Sequence, residues 1–278
     1  MKTLKITLLF CLISIFSFAE VSQKQKSALV DLYNSTNGDA WSKSWDLDLP
    51  VSGWYGITIE NDEVVSIDLM FNNLTGYLPE SISELTSLKT LNLAFNNLEG
   101  ELPHALVSLT NLEQLKLFSN RFSGEIPSEI GNLKNLVSIE LYNNDFIGEI
   151  PSSIGDLQKL EKLMLSSNQL QGRLPSSLSS LDSLKILSLF DNSLLGTIPS
   201  SIGKLVKLEE LVLSNNAFYG DLPNELAQLT NLKTLLLGQN QFKGNFAVLR
   251  SKLPNIVDFD LDDSNSKGSL ATLDAEED

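Results

Sequence analysis

Residues 85–109 read LTSLKTLNLAFNNLEGELPHALVSL, and the same order of residue types returns every 24 positions on both sides of that stretch. Its glycine, Gly100, stands in a column with Gly76, Gly124, Gly148, Gly172, Gly196, Gly220 and Gly244, which keeps the period without a slip. Four residues ahead of each glycine runs a second column, Asn72, Asn96, Asn120, Asn144, Asn168, Asn192, Asn216 and Asn240. Three residues behind runs a third, Pro79, Pro103, Pro127, Pro151, Pro175, Pro199 and Pro223. A period held this strictly over successive units is the signature of a solenoid, because one unit of this size buries its apolar face only by stacking on its neighbours.

The unit resembles the plant-type leucine-rich repeat, LxxLxxLxLxxNxLxGxIPxxLxxL, over roughly residues 64–249. Pattern and resemblance together predict an α/β solenoid of about eight turns. It is a right-handed leucine-rich-repeat coil, with a parallel β-sheet on the concave face and short 3-10 or irregular segments on the convex face. Leucine pairs such as Leu91–Leu93 and Leu115–Leu117 have the period of two that points both side chains inward from a strand. Where each strand turns, the asparagine amide donates to and accepts from backbone groups that burial would otherwise leave unpaired, so the column forms a structural ladder. The glycine permits a turn that a side chain would obstruct, and the proline presets φ for the segment that follows.

The two ends depart from the pattern. In residues 20–63, Ser22 and Gln25 have capping-box spacing, and Ala28, Leu29, Leu32 and Tyr33 share one helical face. This cap resembles that of plant leucine-rich-repeat receptors and polygalacturonase-inhibiting proteins through Trp54-Tyr55-Gly56-Ile57. The plant cap carries a cysteine two residues before that tryptophan and another five after it. This chain has Ser52 and Ile59 there, and from Ala28 to Trp41 it follows the ALxxLYNxTNGxxW pattern of secreted bacterial repeat proteins, a resemblance that implies a Gram-negative source. Trp41, Trp45 and Trp54 all fall in the cap, where closing the coil's open end requires large apolar groups; packing there is the favoured role over stacking on a sugar. At the far end, residues 250–270 read as a degenerate capping repeat: Leu253, Ile256, Phe259 and Leu261 continue the pattern, Ser264 replaces the ladder asparagine, and Gly268 keeps the beat. Residues 271–278 read as an acidic tail.

Residues 1–19 have the form of an export signal, with Lys2 and Lys5 ahead of an apolar run and Ser17-Phe18-Ala19 as a small-x-small cleavage site. Cleavage near Ala19 predicts a secreted protein, extracellular or periplasmic, without the chain's one cysteine, Cys11. No later stretch is long and apolar enough to predict a membrane span. A formal charge of -15 excludes nucleic acid as a natural partner, since phosphates require Lys and Arg, and it disfavours anionic membranes. A monomer with no cofactor is the expectation.

The sequence offers little for catalysis. His104 has no partner histidine for a metal and no serine arrangement around it, so an exposed structural place is expected. Glu101, Glu125 and Glu149 recur one turn apart; fanning into solvent relieves their repulsion more simply than a bound cation does. Asp258, Asp260 and Asp262 alternate along the last strand and are weak metal candidates, since calcium favours such oxygens but the spacing is that of a strand and not of a calcium loop.

Function is therefore sought where the repeat leaves residues free, on the concave face. The position between the strand leucines runs Asp68, Asn92, Lys116, Glu140, Met164, Ser188, Val212 and Leu236. The position after them runs Met70, Ala94, Phe118, Tyr142, Ser166, Phe190, Ser214 and Gly238. By this register Phe118, Tyr142, Met164, Ile186, Phe190, Val212 and Leu236 point to solvent beside Lys116 and Glu140, and an aromatic-bearing apolar face marks a binding site for a protein or polysaccharide, the competing reading being that these side chains cover one another on a curved sheet. The alternatives are an ice-binding surface and a purely structural adhesion module. Ice binding calls for matched outward columns of Thr, Ser or Asn, whereas Thr75, Glu99, Ser123, Ile147, Gln171, Leu195 and Tyr219 are irregular.

Overall fold

The computed structural model describes residues 21–243 and 246–260. The expected export segment, Gly244, Leu261, Asp262, Ser264, Gly268 and the acidic tail lie outside the described residues. The chain folds as a leucine-rich-repeat coil. Its main sheet holds ten strands, led by the antiparallel pair Ile57–Glu60 and Glu63–Asp68. From Thr90–Asn92 onward one short strand per coil adds in parallel, ending with Asp258–Asp260. Register is strict: Leu91, Leu115, Ile139, Leu163, Leu187, Leu211 and Leu235 pair in one row, all with essentially no exposure.

Four well-placed hydrogen bonds explain each ladder asparagine. Asn144 Nδ2 donates to the carbonyls of Leu117, Leu141 and Tyr142, and its Oδ1 accepts from the Phe122 amide at 3.0 Å. The same set recurs at Asn120, Asn168, Asn192, Asn216 and Asn240. Backbone groups that the strand cannot pair are thus satisfied by a side chain at a fixed offset. Asn72, first in the column, turns its amide to the cap instead, exchanging bonds with the Lys43 backbone.

On the convex side, six of the prolines cap 3-10 turns, for example Pro103 before His104–Ser108 and Pro151 before Ser152–Asp156. Each turn drives one apolar residue into the core, Leu106 and Ile154 in these two. Between the two faces the coil also carries strands that the sequence reading does not anticipate. Thr75–Gly76, Asn97–Glu101 and Arg121–Ser123 pair in parallel, as do Gln171–Gly172, Ser193–Gly196, Ala217–Asp221 and Gln241–Lys243. Isolated bridges at Glu125–Ile147 and Glu149–Gln171 continue the row between them. Gly76, Gly100, Gly124, Gly148, Gly172, Gly196 and Gly220 lie along this flank at positive φ, +77° at Gly148. The side chains of Glu101, Glu125 and Glu149 lie across the glycine of the following turn, with Glu125 Cγ 2.9 Å from where a Gly148 Cβ would stand.

The cap is built on helix α1 (Gln23–Ser35), whose Ser22 Oγ accepts from the Gln25 amide. The reciprocal half of the expected capping box is absent: the Gln25 side chain is buried and bonds the Glu63 carboxylate and the Val64 amide, tying the helix to the first strands. Trp41, Trp45 and Trp54 are buried in contact with one another and with Tyr33. Each indole N–H reaches a backbone carbonyl, those of Thr36, Tyr55 and Asp46. Aromatic rings can be buried this fully only when their polar atoms find such partners.

Candidate functional site

The outward residues of the main sheet divide into two halves of different chemistry. In the N-terminal half the centre is polar and self-paired. Asn92 Nδ2 donates to Asp68 Oδ1 at 3.0 Å, Ser138 Oγ donates to Glu140 Oε1 at 2.8 Å, and Lys116 Nζ lies 4.0 Å from the same carboxylate. In the C-terminal half the middle column is apolar at Met164, Val212 and Leu236 and polar at Ser188; the three apolar residues and, in the flanking columns, Ile186 and Phe190 are half-buried. Within that half, Ser166 and Ser188 share a hydrogen bond of 2.7 Å.

Phe118 corrects the sequence reading. It was expected to face solvent, and it is 7% exposed. The physical reason is a stack of rings along one edge of the face. Phe71 and Phe95 lie parallel with centroids 4.1 Å apart, Phe95 meets Phe118 edge to face at 5.0 Å, and Phe118 lies parallel to Tyr142 at 4.3 Å. Phe118 is interior to this stack, covered on both sides. Tyr142 at its inner end is half-buried, and burial together with the adjacent Glu140 carboxylate pushes its phenol up to about 12. Loss of solvent and a nearby negative charge both oppose the phenolate.

The solvent-facing members of the stack are two residues that the reading of the sequence missed. Phe71 is 63% and Phe95 36% exposed. They occupy the position just before the ladder asparagine, where the backbone is left-handed, with φ of 54° and 52°. The other coils place Ser119, Asn143, Ser167, Asp191, Asn215 and Gln239 there, all at positive φ. Reading that one further column would have exposed the anomaly, since phenylalanine is a poor choice for a left-handed position.

The remaining sequence candidates do not assemble into a reactive centre. His104 is exposed at the head of its 3-10 turn, where its backbone amide and that of Ala105 donate to Glu80. Among the described residues, no group of three or more His, Cys, Asp or Glu is placed to hold a metal. Asp258 and Asp260 are exposed on the final strand. No helix among the described residues is long and apolar enough to cross a membrane.

These features define a leucine-rich-repeat coil whose open sheet offers side chains that the scaffold does not require. Two repeat models match the chain, one described as a leucine-rich repeat region over residues 140–266 and one as a leucine rich repeat over residues 62–122. A probable leucine-rich repeat receptor-like protein kinase of Arabidopsis thaliana is 43% identical over 90 residues, covering 32% of this chain and 9% of that protein. Among solved structures, the chain is similar to the leucine-rich-repeat ectodomain of the Arabidopsis receptor kinase HAESA, solved with an extended IDA peptide hormone ligand. That likeness has a TM-score of 0.76 at 33% identity and covers 83% of this chain and 40% of the other. A plant ice-binding protein shares the fold, with a TM-score of 0.71 at 23% identity over 87% of this chain and 86% of its own. The chain thus spans 9% of that receptor-like kinase and 40% of the HAESA ectodomain chain.

Proposed function

We propose that this chain is an exported, non-catalytic binding protein that holds a protein or glycan partner against its concave face. One observation carries the reading: the concave side, which the coil leaves free, holds large apolar and aromatic side chains in both halves, Phe71 and Phe95 beside the N-terminal strands and Met164, Val212 and Leu236 on the C-terminal ones. A solenoid needs its inward leucines, its asparagine ladder and its glycines, and gains nothing from an apolar outer surface. The peptide-bound receptor ectodomain to which the chain is similar supports a protein partner, and its extracellular setting accords with the signal-like residues 1–19. The irregular column Thr75 to Tyr219, now located on the flank sheet with Ile147, Leu195 and Tyr219 exposed, lacks the repeated small polar groups that the ice reading requires.

The test is capture of partners from the native secretome, with a glycan array in parallel, using the chain and a variant carrying Phe71→Asn, Phe95→Ser, Met164→Ser and Val212→Ser. Phe118 is left intact because its burial would confound the result. The variant is expected to lose the captured species. Equal capture by both proteins refutes concave-face binding, and measurable thermal hysteresis would favour the ice alternative.

A further inference from the structure

We infer that Phe71 and Phe95 form the anchor for a basic, apolar-flanked peptide segment of a protein partner. The inference rests on concave-face binding and adds which part of that face grips and what chemistry it selects. Both rings stand on backbone that works against folding, and one of them is also largely exposed. Their left-handed backbone is one that L-residues other than Asn, Asp and Gly adopt at a cost, and the other coils fill the position with Ser, Asn, Asp or Gln. Phe71, at 63% exposure, regains little of that cost through burial in the free protein. Strain held at an exposed aromatic is a reason to look for a ligand that covers it.

Charge sets the class of partner. In the same half of the face, Lys89 pairs with Glu60 at 3.1 Å and Lys116 lies by Glu140. Among the described residues, Asp68 has no ion-pair partner; its Oδ1 accepts from Asn92 Nδ2 and the Met70 amide, and it stands three residues before Phe71. The rings would take the apolar part of a segment while the Asp68 carboxylate takes its cation. A formal charge of -15 opposes a second copy of this chain on the same surface, as it opposes phosphates.

The probes are a synthetic peptide of repeated Arg-Pro-Leu and its Glu-Pro-Leu counterpart, measured by fluorescence anisotropy at near-physiological salt. The proteins are the full chain, Phe71→Asn with Phe95→Ser, Asp68→Asn, and Met164→Ser with Val212→Ser. The Arg peptide is expected to bind and the Glu peptide not. The ring variant, which has the same charge as the parent, should weaken binding at least about tenfold. Asp68→Asn should weaken it less. The ring variant should keep its thermal midpoint within about 4 °C, because relief of left-handed strain by Asn at position 71 offsets part of the lost stack. Absence of binding to the parent chain, undiminished binding to the ring variant, or a collapse of that variant's midpoint overturns the inference. Loss confined to the Met164 and Val212 variant moves the grip to the other half and leaves concave-face binding standing. Glycan-array binding that disappears in the ring variant reassigns the anchor to sugars.

Discussion

Replacing one ladder asparagine with leucine should cost far more than replacing its neighbour. In Asn144→Leu the three carbonyls that Asn144 serves each retain another donor: Leu117 keeps Asn120, Leu141 keeps Asn168, and Tyr142 keeps the Ser119 amide. The Phe122 amide has no such reserve. It belongs to a fully buried residue, and Asn144 Oδ1 is the acceptor that the structure gives it. An orphaned buried N–H costs roughly 1–3 kcal/mol, and three weakened carbonyl contacts add a fraction of that each, giving about 3 kcal/mol in total. For a chain of this size that lowers the thermal midpoint by roughly 6–12 °C. Asn143→Leu removes one 3.5 Å contact from an exposed side chain and places leucine at φ 58°, a penalty of about 1 kcal/mol. Calorimetry and circular dichroism on both variants decide the matter, with coincident transitions required because repeat arrays need not unfold in one step. Equal midpoints would refute the accounting, as would a Phe122 amide in Asn144→Leu that stays fully protected from hydrogen exchange.

Tyr142 predicts a pH dependence. Its folded pKa of about 12 lies above the ordinary 10.0, so the folded state holds the proton more tightly than the unfolded chain does. The resulting stability is present below pH 10 and is lost as pH rises toward 12. Tyr142→Phe keeps the ring, and denaturant titrations of this variant between those pH values should show a shallower alkaline loss. Gly155 predicts a packing effect outside the 24-residue glycine column: an added Cβ would stand 2.3 Å from the Ser177 carbonyl oxygen of the next coil. Gly155→Ala should destabilise by about 2 kcal/mol or more. Gly53→Ala, where nothing lies within 4 Å, should be neutral to slightly stabilising, and chemical denaturation of the pair would settle the contrast.

The 24-residue period made most of the scaffold legible. It placed the leucine rows inside, the asparagines at the strand ends and the prolines ahead of the convex turns, because these roles repeat and each depends on near neighbours in the chain. The flank sheet was not legible: its pairing comes from backbone groups of adjacent coils, which carry no residue-type signal beyond a glycine already explained by its turn. The Gln25 side chain was misread for a similar reason, since its partners Glu63 and Val64 are distant in sequence.

For the candidate site, the sequence by itself determined which columns the coil leaves free and that they carry large apolar groups. Tertiary structure alone decided which of those groups a partner can reach. Phe118 and Phe95 lie in different columns of neighbouring coils, so periodicity cannot say that one ring covers the other. Stacking of successive turns brings Phe71, Phe95, Phe118 and Tyr142 into one ladder. Contact along that ladder buries Phe118 and leaves Phe71 and Phe95 at the surface, because side-chain cover is set by distances between coils and not by position within one.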